Sequence, residues 1–135
     1  MIKVMLDTNI IVSAFLNNRG VPHQAYQKAV EPPYQCSICE QTLEELRRVF
    51  IRKFPGKIQA FESFLAVMLP IMEVVPVPPS PSPDETEIRD VNDRPIYRAA
   101  LSANVDILVT GDKDFLESGL ECPTIITATE FIQAY

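Results

Sequence analysis

The chain has 135 residues, 47% of them hydrophobic, enough to bury one core and too few to build two domains, so a single unit over 1–135 is expected. No run approaches the roughly eighteen apolar residues of a membrane span, and MIKVML meets Asp7 without the apolar stretch and cleavage site of a signal peptide. A soluble, cytoplasmic protein is the expectation, and its 18 acidic against 12 basic residues, net charge −6, argue at first sight against a polyanionic partner, though the distribution of charge matters more than its sum.

In chain order, IKVML reads as a short strand ending at Asp7, with Thr8 or Asn9 capping a following helix, IIVSAFLNN. Residues 22–31 read as a second helix, opened near His23 and stopped by Pro32 and Pro33. YQCSI is a second strand. It places Cys36 among buried residues and Cys39 at the next helix start, so CSIC reads as two buried thiols rather than a redox pair. With Cys122 and His23 the cysteines also lack the paired spacing of a zinc site.

Residues 40–53 and 57–69 carry apolar positions at helical spacing, and Pro70 ends the second run. MEVVPV is a third strand. Residues 76–83 hold five of the 12 prolines and read as a stiff surface loop. Asp93 to Ala103 is a helix with Pro95 in its first turn and a small-residue face at Ile96, Ala99, Ala100 and Ala103. DILVT is a fourth strand, a short helix begins near Asp112, PTIIT is a fifth strand, and ATEFIQAY is a terminal helix. Strands alternating with helices predict a parallel sheet of about five strands covered on both faces, a Rossmann-like three-layer α/β/α domain.

In such sheets ligands gather beyond the carboxyl ends of the strands, which selects Asp7 and Asp112, with Asp93 opening the helix that leads to the fourth strand. On the 40–53 helix, Glu45 lies roughly 110° from the centre of the apolar face and Glu44 roughly 150°. Glu45 therefore borders the packed side and Glu44 faces water. Singly, Asp93 and Asp112 are explained as helix caps and Glu45 as a solvated helix residue. Asp7 is the exception: it follows a buried run, and with Thr8 or Asn9 available as the cap it has no evident structural duty.

Carboxylates gathered in one crevice repel, at about 4 kcal/mol per pair for a separation near 4 Å and an effective dielectric of about 20. Protonation or divalent cations must offset this, and hard oxygen ligands select Mg²⁺ or Mn²⁺. Two such ions add four positive charges and take the chain from −6 to −2. Arg47, Arg48, Arg52, Lys53 and Lys57 then form a basic segment suited to phosphates, though a solvated helix face explains them equally well. The chemistry that follows from carboxylate-held metals is phosphodiester hydrolysis.

Four segments in order resemble the motifs of the PIN-domain ribonucleases, and more narrowly the VapC-like toxins of toxin-antitoxin pairs: LDTNIIVSAF, TLEELRRVF, DVNDRPIYRAAL and LVTGDKDFL. The resemblance implies an acidic metal cluster of Asp7, Glu45, Asp93 and Asp112, supporting roles for Asn9 and Thr110, and an auxiliary acid at Asp114. It also implies Mg²⁺ or Mn²⁺, an RNA substrate, a homodimer, and a partner antitoxin; because no side-chain nucleophile is evident, activation of water on the metal is expected to give direct hydrolysis leaving a 5′-phosphate. Cys39 departs from the serine that often opens the third helix in relatives, and the proline-rich loop is unusually rich. Two competing readings are a PIN-like binding module whose acids are dispensable, and a phosphotransfer enzyme with Asp7 as the phosphorylated group. The second is disfavoured because haloacid-type phosphatases need an aspartate where Asn9 stands, and receivers need an acidic pair that MIKVMLD lacks.

Overall fold

The computed structural model describes residues 1–135. Five strands, β1 (Ile2–Leu6), β2 (Tyr34–Cys39), β3 (Glu73–Val75), β4 (Ile107–Val109) and β5 (Thr124–Ile126), form one sheet in the order β3-β2-β1-β4-β5. Every pairing is parallel. Seven helices connect and cover them: α1 (Thr8–Leu16), α2 (Val21–Ala29), α3 (Glu40–Lys53), α4 (Ile58–Met68), α5 (Arg94–Ser102), α6 (Lys113–Leu116) and α7 (Ala128–Ala134). None is long and apolar enough to cross a membrane.

The two-residue period of a strand divides the core between the sheet's faces. Val4, Leu6, Ile38 and Val109 point to one side, where they bury against α1, α2, α3, α4 and α7. Met5, Leu108, Cys39 and Val75 point to the other, where Ile96, Ala99 and Ala100 of α5 and Phe115 of α6 cover them. The small residues of α5 let it approach the sheet closely, as their pattern predicts. The three-layer arrangement expected from the strand-helix alternation is the one observed.

The helix that carries Glu45 is anchored by aromatic packing. Phe50 of α3 stacks on Phe61 of α4 with ring centroids 3.9 Å apart, and Phe15 of α1 meets both edge-on at 5.3 Å. Such pairs add about 1 kcal/mol each beyond their buried area.

Local differences from the sequence reading have identifiable causes. The 57–69 helix is an α-helix only over Ile58–Met68, flanked by 3₁₀ turns at Pro55–Lys57 and Leu69–Ile71, because each flanking turn contains a proline that supplies no N–H. The helix expected from Asp93 begins at Arg94, after a 3₁₀ turn over Val91–Asp93. Asp90 caps that turn by accepting from the Asn92 N–H, and the Asp93 side chain makes no capping bond. Asp7 departs from expectation too: it is itself the N-cap of α1, accepting from the Thr8 N–H at 2.8 Å, so it does have a structural duty.

Candidate active site

Parallel register sets the first half of the site. Leu6, Val109 and Ile126 are aligned across β1, β4 and β5, so Asp7, Thr110 and Thr127 follow in one row at the carboxyl edge. The Thr110 hydroxyl donates to Asp7 Oδ2 at 2.7 Å and accepts from the Asp112 N–H at 3.0 Å, which ties the first acid to the turn that carries the last. Asp112 caps α6 by accepting from the Asp114 N–H, and Asn9 accepts from the Gly111 N–H at 3.3 Å. Asn9 and Thr110 thus brace the turn.

The second half arrives on α3, which starts where β2 ends beside Asp7. Glu45 borders the packed face and Glu44 is exposed, as the wheel predicts. Glu45 is held from two directions: Thr8 Oγ1 donates to Oε2 at 2.8 Å, and Gln41, one turn earlier, donates to Oε1 at 3.0 Å. Asp7, Glu45, Asp93 and Asp112 line one cleft of about 320 Å³. Residues from four separated segments therefore line one cleft, although no three of these four carboxylates offer oxygens within 4.8 Å of one another.

The electrostatics of this cleft are strained. Burial raises the Asp7 carboxyl to about 6, against the lowering effect of its bonds from Thr110 and Thr8 and with repulsion from Glu45 and Asp112 adding to it. Burial also raises Asp93 well above the usual carboxyl range, reinforced by Asp112, Asp7 and Asp90. No N–H or hydroxyl donor reaches the buried Asp93 Oδ2, and its closest hydrogen-bonding neighbour is the Asp112 carboxyl, a pairing that needs a shared proton or a cation between the two.

A tighter acidic grouping lies alongside. Asp90, Asp93 and Asp114 offer carboxylate oxygens within 4.8 Å of one another. Two of them have other partners: Asp114 pairs with Arg89 at 3.0 Å, and Asp90 accepts from the Asn92 N–H. Only the Asp93 oxygen is left to be satisfied. An all-oxygen set of donors around an orphaned buried carboxylate fits a hard divalent cation and no soft one.

The cations of α3 divide by face. Lys53 lines the acidic cleft itself, while Arg48 and Arg52 line an adjoining cleft of about 840 Å³ that shares Glu45, Val49 and Asp93 with it. Arg47, grouped with them on sequence, is not brought to either cleft; it faces α4 and pairs with Glu62 at 3.7 Å. Lys57 sits in the turn after α3, outside both clefts. Sequence reasoning missed Gln41 and Asp90. Gln41 stands four residues before Glu45, a spacing that brings the two side chains together on a helix. Asp90 stands three before Asp93, but the 3₁₀ turn that joins them carries no comparable pattern.

An open parallel sheet whose order reverses between β1 and β4, with an acid-lined cleft at that switch point, defines an α/β domain of the Rossmann-like class with its site at the sheet's carboxyl edge. The profile of the PIN domain family matches residues 3–114, and the chain belongs to that family, whose members are nucleases. It is 26% identical over 115 residues to an uncharacterized protein, MJ1680, of Methanocaldococcus jannaschii, a match spanning 85% of this chain and 74% of that one. In fold it is similar to a chain in the crystal structure of VapBC2 from Rickettsia felis bound to a DNA fragment from their promoter, with a TM-score of 0.67, 22% identity, and coverage of 93% of this chain and 97% of that one.

Proposed function

We propose that the protein is a metal-dependent endoribonuclease, the toxin of a toxin-antitoxin pair. The observation that carries the catalytic half is the buried Asp93 Oδ2, which no N–H or hydroxyl donor meets, in a cleft lined by four carboxylates against one cation, Lys53; a divalent cation would satisfy it. The toxin half is supported by family membership and by the likeness in fold to VapBC2. On that reading a cognate antitoxin and a second copy of the chain are its protein partners.

Asp7, Asp93, Asp112 and Glu45 would hold Mg²⁺ or Mn²⁺. When bound, such an ion supplies positive charge for the phosphate oxygens and makes water acidic enough to act as a nucleophile near neutral pH. The chain's own residues do the rest. Glu45, fixed by Thr8 and Gln41, orients water, and the Thr110 bond keeps Asp7 from swinging out of the cleft. Asp114 acts at the rim through the turn it shares with Asp112. The Lys53 ammonium, which has no ion-pair partner, is free to meet a non-bridging phosphate oxygen, and Arg48 and Arg52 meet neighbouring phosphates.

Water attacks phosphorus, the bond from phosphorus to the 3′-oxygen breaks, and the products are a 5′-phosphate and a 3′-hydroxyl. Mapping the ends of fragments from single-stranded RNA cut in Mn²⁺ tests this. A 5′-phosphate is expected, and a 2′,3′-cyclic phosphate would rule the mechanism out. In cells, expression should arrest growth, and co-expression of the product of an adjoining small gene should relieve it; growth unaffected by expression counts against the toxin reading.

A further inference from the structure

The clefts along the carboxyl edge of the sheet are chemically unlike. On one side of the acidic cleft, across Glu45 and Val49, lies the cleft lined by Arg48 and Arg52. On the other side, across Asn9 and Ser13, lies a third cleft of about 390 Å³ with no charged residue in its lining. It sits at the far end of the Asp7, Thr110, Thr127 row from α3. Hydroxyls of Ser13 and Thr129 and the carboxamide of Asn9 supply its polar groups, the Thr127 hydroxyl being taken up by Glu130 at the start of α7, and Val21 and Pro22 supply an apolar wall.

Asn9 belongs to both the acidic and the neutral cleft, and its Oδ1 is engaged by the Gly111 N–H, so its NH₂ group is free to donate at their boundary. A phosphate has no counter-charge in the neutral cleft and would lose hydration there without compensation. A ribose or base has neutral donors and acceptors and flat apolar faces, and matches these walls. A strand crossing the acidic cleft must lead away from it on two sides, and only the side with Arg48 and Arg52 offers cations to a phosphate, among the carboxylates that also line it.

On the nuclease reading, on which this rests, we infer that the neutral cleft is a nucleoside subsite. It receives the nucleoside adjoining the scissile phosphate on the side away from Arg48 and Arg52, and Asn9, Ser13 and Thr129 are the residues that determine what fits. Ser13 and Thr129 are exposed, so replacing them leaves the core intact. At Gly111 an added Cβ would lie 3.6 Å from Asn9 Nδ2, an ordinary contact, so Gly111→Ala narrows the boundary without a clash.

The test uses an RNA oligonucleotide with one mapped cleavage site in Mn²⁺, and two versions carrying an abasic nucleotide on either side of that bond. Wild-type protein should be slowed at least about fivefold by the abasic nucleotide on one side and far less on the other. The Ser13→Ala and Thr129→Val double variant, and separately Gly111→Ala, should lose that asymmetry, with KM raised on intact RNA and the Mn²⁺-induced thermal shift unchanged. Equal response to both abasic substrates, or variants that discriminate as wild type does, overturns the subsite and leaves the nuclease reading standing. No RNA cleavage by wild type overturns both.

Discussion

Asp7 is held ionised near neutral pH only against the cost of burial, because its carboxyl is raised from 3.8 to about 6 while its oxygens accept from Thr8 and Thr110. A carboxyl raised in the folded state binds its proton more tightly there than in the unfolded chain. In metal-free protein its charge therefore costs stability as pH rises from about 3.8 to about 6, and the loss is complete above that, at roughly 3 kcal/mol. Asp7→Asn keeps an acceptor for the Thr8 N–H and removes the charge. Measured by urea denaturation in EDTA, the variant should be the more stable protein by up to about 3 kcal/mol at pH 7, with the difference vanishing near pH 4. A variant less stable than wild type at both pH values would mean that the lost bond from Thr110 outweighs the charge. At this scale the sequence was partly readable. Glu45 could be told from Glu44 because helix periodicity fixes side-chain direction over five residues. The Asp7 cap and its Thr110 bond could not be read, because that bond spans 103 positions and depends on sheet register.

Among the elements, α5 and the segment before it depend on one another. Arg98 donates to both Glu85 oxygens, at 2.8 and 3.2 Å, and to the Pro78 carbonyl, and the Tyr97 hydroxyl donates to Asp84 at 2.7 Å. The proline-rich loop, which its composition correctly marked as a connection without regular structure, is thereby tied to the helix whose first turn follows Asp93. Nothing in its sequence marked Glu85 as buried. Burial alone would raise the Glu85 carboxyl, but the Arg98 bonds and the Ser82 N–H hold it below the usual value. A lowered carboxyl contributes stability that is present above its unfolded value and lost as pH falls through its folded one. Arg98→Met should cost about 3 kcal/mol at pH 7 by leaving a buried carboxylate unpaired, and the cost should shrink below pH 4. Hydrogen exchange should speed up over residues 84–93 in the same variant; unchanged protection there would show that the pair does not tie down the segment. Strand and helix cores were legible from periodicity, whereas the 3₁₀ turns were not, because three residues carry no period.

Across the whole molecule, an acidic chain that acts on RNA, as proposed, would depend on cations to bring substrate and site together. A ligand that binds only the folded state stabilises by about 2.7 kcal/mol at a concentration 100 times its dissociation constant. Mn²⁺ at that excess should therefore raise the melting temperature by roughly 5–16 °C, since 1 kcal/mol shifts a domain of this size by about 2–6 °C. Asp93→Asn should abolish most of the shift by replacing the orphaned oxygen, and a full shift in that variant would place the ion elsewhere. The layer architecture was legible because at least one helix follows every strand from Ile2 to Ala134. The division of the α3 cations between clefts was not, because Arg47 and Arg48 are adjacent in sequence and face opposite neighbours.

Incubating the purified protein with single-stranded RNA and Mn²⁺, with and without EDTA and beside Asp7→Asn, addresses the central claim most directly. Cleavage by wild type should stop on chelation and fall by at least about a hundredfold in Asp7→Asn, as expected when a group acting on the transition state is lost. Cleavage that survives both EDTA and the substitution would contradict a carboxylate-held metal at the carboxyl edge of the sheet.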